Sequence, residues 1–230
     1  MIEAVRGCWR GAYWGGERSG VAMLRYRRSA IRKCAGFGLL LAGLLFLSPV
    51  PAAAASGPSE AIRQFYAQLL DTMQHATALG VKGRYQKLEP VVFRTFDVPY
   101  MARLSIGPAW AGLTPDQKKR ASRAYGRYVA AVYATRFDGY SGERLEVLGE
   151  QKIKRGTMVK SQIVKSDGEP VSINYMVHDN AVGWQVRDVY LTGTISELAT
   201  RRSEFATILR SGGIDSLIAS LNKKADDLQG

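Results

Sequence analysis

Val171-Ser172-Ile173-Asn174-Tyr175-Met176-Val177-His178 (residues 171–178) sets Val, Ile, Tyr and Val in alternation with Ser, Asn, Met and His. A period of two is what a strand with one buried face requires, because successive side chains leave the backbone on opposite sides. Val159, Ser161 and Ile163 repeat the theme upstream, and Gly156 and Asp167-Gly168 supply turn residues between the runs. The spacing predicts four antiparallel strands over about 144–154, 157–166, 170–178 and 182–192.

Outward from these strands the period lengthens. Ile62, Phe65, Tyr66, Leu69, Leu70 and Met73 recur at helical spacing and predict an amphipathic helix over 59–74, with Ser59 as its cap and Gly80 and Gly83 as its end. A short helix is expected around 84–95, and Asp97 caps another through Leu104. Thr114-Pro115-Asp116-Gln117 combines a capping threonine, a proline at the first helical position and the glutamine of a capping box. The helix it starts is expected to reach about Tyr140, about 40 Å at 1.5 Å per residue, long enough to back a sheet. Beyond the strands, helices are expected over 196–210 and 215–226, split by Gly212-Gly213 with Asp215 capping the second. Helices, strands, then helices make an α+β domain with one sheet face covered.

Further upstream, Ala35–Leu47 (AGFGLLLAGLLFL) is an uncharged run of 13 residues behind Arg25, Arg27, Arg28, Arg32 and Lys33. It is too short to span a bilayer, which takes about 20 residues. With Ala53 and Ala55 after it, the stretch predicts a secretory signal peptide cleaved near Ala55. Residues 1–55 are thus expected to be removed, and 56–230 to form a single exported domain. Residues 1–22 fit poorly even as a leader, and Met23 opens a more ordinary one. Cys34 precedes the apolar run, where a lipid-modified cysteine would follow it.

Both cysteines, Cys8 and Cys34, fall in the leader, so the remaining domain offers no disulfide, Cys–zinc site or Cys nucleophile. The net charge of +12 divides evenly: eight Arg and Lys against two Glu before residue 56 give +6, and 24 against 18 after it give +6. That is a mild positive bias, short of a nucleic-acid footprint and compatible with anionic lipid surfaces. His75 and His178 are the only histidines. His178 sits beside Asp179, but it belongs to the outward set of its strand and lacks any nucleophile-elbow signature. Neither an acid–base pair of carboxylates nor a phosphate-binding glycine loop stands out. The expectation is no enzyme, no metal and no cofactor. Instead the chain is rich in aromatics: Phe93, Phe96, Tyr100 and Trp110, then Tyr125, Tyr128, Tyr133, Phe137 and Tyr140, then Tyr175, Trp184 and Tyr190.

Two stretches resemble one family. FDVPYMARLSIGPAWAGLTPDQKKRASRAYGRYVAAVYATRF (96–137) has its Phe-Asp start, its Leu-Gly-Trp core at Leu104, Gly107 and Trp110, and its Thr-Pro-x-Gln entry into a long helix. VGWQVRDVYLTGTISELATRRSEFATILRSGGIDSLIASL (182–221) has its Trp-Val-Asp-Val strand and closing Gly-Ile-Asp-x-Leu. The chain is similar to the periplasmic lipid-binding MlaC or toluene-tolerance auxiliary proteins, and most to the HpnM branch found with hopanoid biosynthesis. Thr200-Arg201-Arg202 stands where the family often has Asn-Tyr-Arg, so Arg202 matches and the tyrosine is lost, and the Leu104–Gly107 spacing is shifted by two residues.

The resemblance implies a twisted antiparallel sheet wrapped by helices, with an apolar cavity between them. It implies a periplasmic carrier that takes phospholipid from one membrane complex to another, an inner-membrane ABC-type transporter and an outer-membrane lipoprotein complex. A hopanoid cargo, or a non-catalytic envelope interaction domain, is the alternative. If the 114–140 helix backs the sheet, Met101, Leu104, Tyr125, Tyr128, Val132, Ile173, Tyr175, Leu198 and Phe205 are expected to line the cavity. Among the cations that open that helix, Lys119 and Arg123 are expected to meet headgroups or a partner.

Overall fold

The strands form where the alternation places them. In the computed structural model, which describes residues 57–230, β1 is Arg144–Ile153, β2 Gly156–Val164, β3 Pro170–Asn180 and β4 Gly183–Leu191. A two-residue β5, Ile195–Ser196, adds a fifth strand to the expected four, and the order β1-β2-β3-β4-β5 is antiparallel throughout. Five helices accompany the sheet among the described residues: α1 Pro58–Gln74, α2 Ala76–Thr95, α3 Val98–Ile106, α4 Pro115–Arg136 and α5 Glu197–Asp227. The expected signal peptide, its cleavage site and the domain boundary after residue 55 lie outside the described residues.

Register puts Val159, Tyr175 and Val189 side by side across β2, β3 and β4, with Thr157, Val177 and Val186 in the next row. All six are buried. The alternation of β3 breaks at Met176, which is buried beside Val177. Its register partner is Asp188, on which Ser196 and Leu198 close, and Arg187 stands as the extra residue of a bulge in β4. A second bulge leaves Leu148 of β1 exposed.

The helix starts vary in how well sequence foretells them. Thr114 accepts from the Gln117 N–H at 3.2 Å while Gln117 accepts from the Thr114 N–H at 3.0 Å, a complete capping box. Asp97 accepts from the Tyr100 N–H and starts α3 as expected. Ser59 does not cap α1. Gly57 stands at that position with Pro58 first in the helix, and the Ser59 hydroxyl donates instead to Glu150 of β1 at 2.8 Å. α1 stops at Gln74, before Gly80, and Gly80 kinks α2 at φ 58°. α4 stops at Arg136 rather than near Tyr140, and the buried Arg84 of α2 donates to the Ala134 carbonyl in its last turn. Along α5 the helical backbone breaks at Gly213, at φ 67°, so two helical runs meet at the expected Gly212-Gly213. Ser196 caps the first, and Asp215 accepts from Arg120.

The helix lying along the sheet is α1, which touches β1 through β4; α4 packs chiefly against α2, α3 and α5. This corrects the expectation that the 114–140 helix backs the strands. Ile62, Phe65, Leu69 and Met73 of α1 are almost completely buried. At roughly 1.5–3 kcal/mol for each fully buried large apolar side chain, that stripe anchors the helix to the sheet.

Candidate functional site

Sheet and helices meet in a seam of rings. Phe65 of α1 stands edge-on to Phe96, Tyr133 and Tyr175, with centroids 5.3, 5.3 and 6.2 Å away. Tyr66 meets Tyr175 at 5.8 Å, and Tyr133 stacks on Phe137 at 5.7 Å. Edge-to-face contacts of this kind add stabilisation beyond area burial, about 0.5–1.5 kcal/mol per pair. The seam also carries polar tips. The hydroxyls of Tyr66 and Ser161 pair at 2.7 Å, Ser161 donates to the Ile173 carbonyl, and its N–H donates to Asn174 Oδ1 at 3.2 Å. Burial raises the hydroxyls of Tyr66, Tyr133 and Tyr175 above tyrosine's ordinary value, so all three stay protonated.

The nine residues expected to line a cavity fall into two groups. Met101 and Leu104 of α3, Tyr125 and Tyr128 of α4, and Leu198 and Phe205 of α5 lie on three mutually packed helices. Tyr125 meets Phe205 edge-on at 6.3 Å. Ile173 and Tyr175 belong to β3, and Val132 precedes Tyr133 on α4. Six of the nine are buried, whereas Leu104, Val132 and Ile173 are half-buried. Among the helical group stands a buried cation, Arg201. It pairs with Glu197 at 3.2 Å and Glu204 at 2.9 Å and lies 5.1 Å from the Tyr128 ring. Phe65, Tyr66, Phe96 and Tyr133 belong to the seam but not to the nine. Their helical spacing and aromatic character were visible in sequence, but their sharing of one seam depends on α1 lying on the strands.

A second feature opens on the surface. A groove of about 830 Å³ runs between the end of α2, the start of α3 and the first half of α4. Pro90, Phe93, Phe96, Val98, Pro99 and Trp110 give it apolar walls, and Lys118, Lys119 and Arg123 stand along one side. Phe93 is 39 % exposed and its ring lies over Gly126, where a Cβ would overlap it. Phe96, at the base, is 2 % exposed and belongs to the seam as well. Glu89 and Asp97 lie in the same lining, Glu89 accepting from Tyr85 and Asp97 ion-paired with Arg187 at 2.9 Å. The expected contacts Lys119 and Arg123 therefore share one groove.

Gly107, whose spacing departs from the family pattern, lies against Arg202, which keeps the family's arginine. A Cβ on Gly107 would stand 3.0 Å from Arg202 Nε, and Gly107 has φ 72°. The displaced glycine thus leaves room for the arginine, and its backbone conformation favours glycine.

An open antiparallel sheet, with helices packed over it through an aromatic seam, defines a small α+β domain. The chain belongs to the MlaC family: the model of the MlaC protein matches residues 63–223, from α1 into α5. Its fold is similar to that of the phospholipid-binding protein from Ralstonia solanacearum, solved in complex with a phospholipid at 1.53 Å. The TM-score is 0.66 at 18 % sequence identity, covering 75 % of this chain and 99 % of that one.

Proposed function

We propose that this protein is a lipid carrier. It holds a phospholipid with its acyl chains between helices and sheet and shuttles it between membrane complexes of the cell envelope without chemical change. The observation that supports this best is the aromatic seam joining α1 and α4 to β3, in a chain whose fold is that of a protein solved with phospholipid bound. Rings in edge-on contact can part and re-pack around an alkyl chain, because most of what they exchange is apolar contact.

Energetics explain what such a carrier must supply. Each methylene is worth about 0.8 kcal/mol out of water, so two chains of about 15 methylenes meet a barrier of roughly 24 kcal/mol if they cross unaided. An interior as apolar as the bilayer makes each transfer nearly neutral. Neither nucleophile nor cofactor is needed. The nine residues from Met101 to Phe205, together with the seam, are the proposed lining. The periplasm is the proposed location, reached through the N-terminal leader expected over residues 1–55. The proposed partners are an inner-membrane ABC-type complex and an outer-membrane lipoprotein complex, with no nucleic acid involved. A hopanoid is the alternative cargo, suggested by the HpnM-like sequence; its rigid fused rings would need a broader space than flexible chains do.

The test is extraction of lipid from protein purified out of the envelope fraction, followed by mass spectrometry. One phospholipid per chain is the expected result. A hopanoid in its place would change the cargo, and protein that stays lipid-free after incubation with phospholipid vesicles would end the proposal.

A further inference from the structure

The cations at the start of α4 divide by partner. Arg120 pairs with Asp116 and Asp215, and Arg127 with Asn222 and Asp226, which ties α4 to α5. Lys118, Lys119 and Arg123 have no ion pair among the described residues, and all three line the groove beside Phe93 and Trp110. Of the two acids in the lining, Asp97 is ion-paired with Arg187, while Glu89 accepts from the neutral Tyr85 hydroxyl and keeps its charge. The lining therefore holds three cations without an ion pair against the single negative charge of Glu89, a net positive groove, while the floor is apolar and continues through Phe96 into the seam.

We propose that this groove seats the headgroup end of an anionic phospholipid, which makes the carrier selective for anionic over zwitterionic cargo. The phosphate and any further acidic group meet Lys118, Lys119 and Arg123. The glycerol and the first methylenes lie over Phe93 and Trp110, and Phe96 leads the chains toward the seam. The occupant must be negative at one end and apolar at the other, and it must fit a concavity rather than a flat face. A single anionic lipid has this form. The proposal rests on the carrier reading and names the class of cargo that reading leaves open.

The test offers the protein vesicles with equal amounts of phosphatidylglycerol and phosphatidylcholine, re-isolates it, and counts both lipids by mass spectrometry. The parent is expected to enrich phosphatidylglycerol roughly three- to tenfold at low salt, as a few partly exposed charge contacts allow, and less at high salt. The Lys119→Glu/Arg123→Glu variant is expected to lose the preference while holding the same total lipid per chain. Lys154→Glu, in the turn after β1, changes charge elsewhere and is expected to keep it. The gentler Lys119→Gln/Arg123→Gln variant, expected to lose most of the preference, serves if charge reversal disturbs folding. Lipid bound without anionic preference in the parent overturns this proposal alone. So does a preference that survives in the groove variants, which would assign the groove to an acidic partner segment or a second copy of the chain. A parent that takes up no lipid overturns the carrier reading and this proposal with it.

Discussion

Gly156 opens β2 at φ 142°, and a Cβ there would overlap the Val177 carbonyl of the neighbouring strand. The obstacle is backbone, which has no rotamer to yield. Gly156→Ala is expected to cost about 3 kcal/mol or more, from strain at positive φ plus the overlap, read as a lower urea midpoint. Asp188 gives a residue-scale test of a different kind. Burial holds its carboxyl above the ordinary carboxylate value, although Ser196, Leu198 and Val189 donate to it. A carboxyl whose value rises on folding binds its proton more tightly in the native state. Its contribution is therefore largest in acid, and it is lost as pH climbs from the unfolded value, about 3.9, through the folded one. The stability of the parent minus that of Asp188→Asn should fall between about pH 3 and the folded value, then level off. A difference that grows with pH would show that the donors, not burial, dominate. Sequence alone marked Gly156 as a turn and Asp188 as part of a motif. It said nothing of the contacts that constrain them, because both partners arrive through strand pairing.

At the scale of elements, the capping box of α4 was legible because it is local: Thr114, Pro115 and Gln117 carry the whole signal within four residues. Thr114→Ala should cost about 1 kcal/mol, checked by thermal or urea unfolding. The alternation of β3 was equally legible. The partner of each helix was not. α1 and α4 both show an apolar stripe, and a stripe tells which face is buried without saying against what. Hence α4 was expected on the sheet, where α1 lies, and the ring seam around Phe65 went unrecognised. β5 is two residues long and too short to show a period. Gly80 and Gly213 break the helical backbone where the glycines had suggested helix ends. Val132 and Ile173, both half-buried, are positions where added volume can be accommodated at the surface side while intruding on the proposed lining. Val132→Trp and Ile173→Trp are each expected to lower bound lipid severalfold with the circular dichroism spectrum retained. Unchanged lipid in a folded variant would remove that residue from the lining.

At the scale of the whole molecule, the family and fold were legible as an ordered set of motifs spread over residues 96–221, none decisive alone. The cargo was not, since apolar interiors lack the fixed polar contacts that leave a sequence signature. Among the described residues no helix is long and apolar enough to cross a membrane. His178, paired with Gln185 across the sheet and half-buried, is expected to play no part, and His178→Ala should match the parent in transfer. The most direct measurement moves labelled phospholipid from donor to acceptor vesicles through the purified protein and then analyses the lipid that arrives. The account predicts transfer in proportion to protein, slowed severalfold by Ile173→Trp, with the lipid covalently intact. No acceleration over vesicles alone, or arrival of hydrolysed or modified lipid at a rate that His178→Ala abolishes, would contradict it.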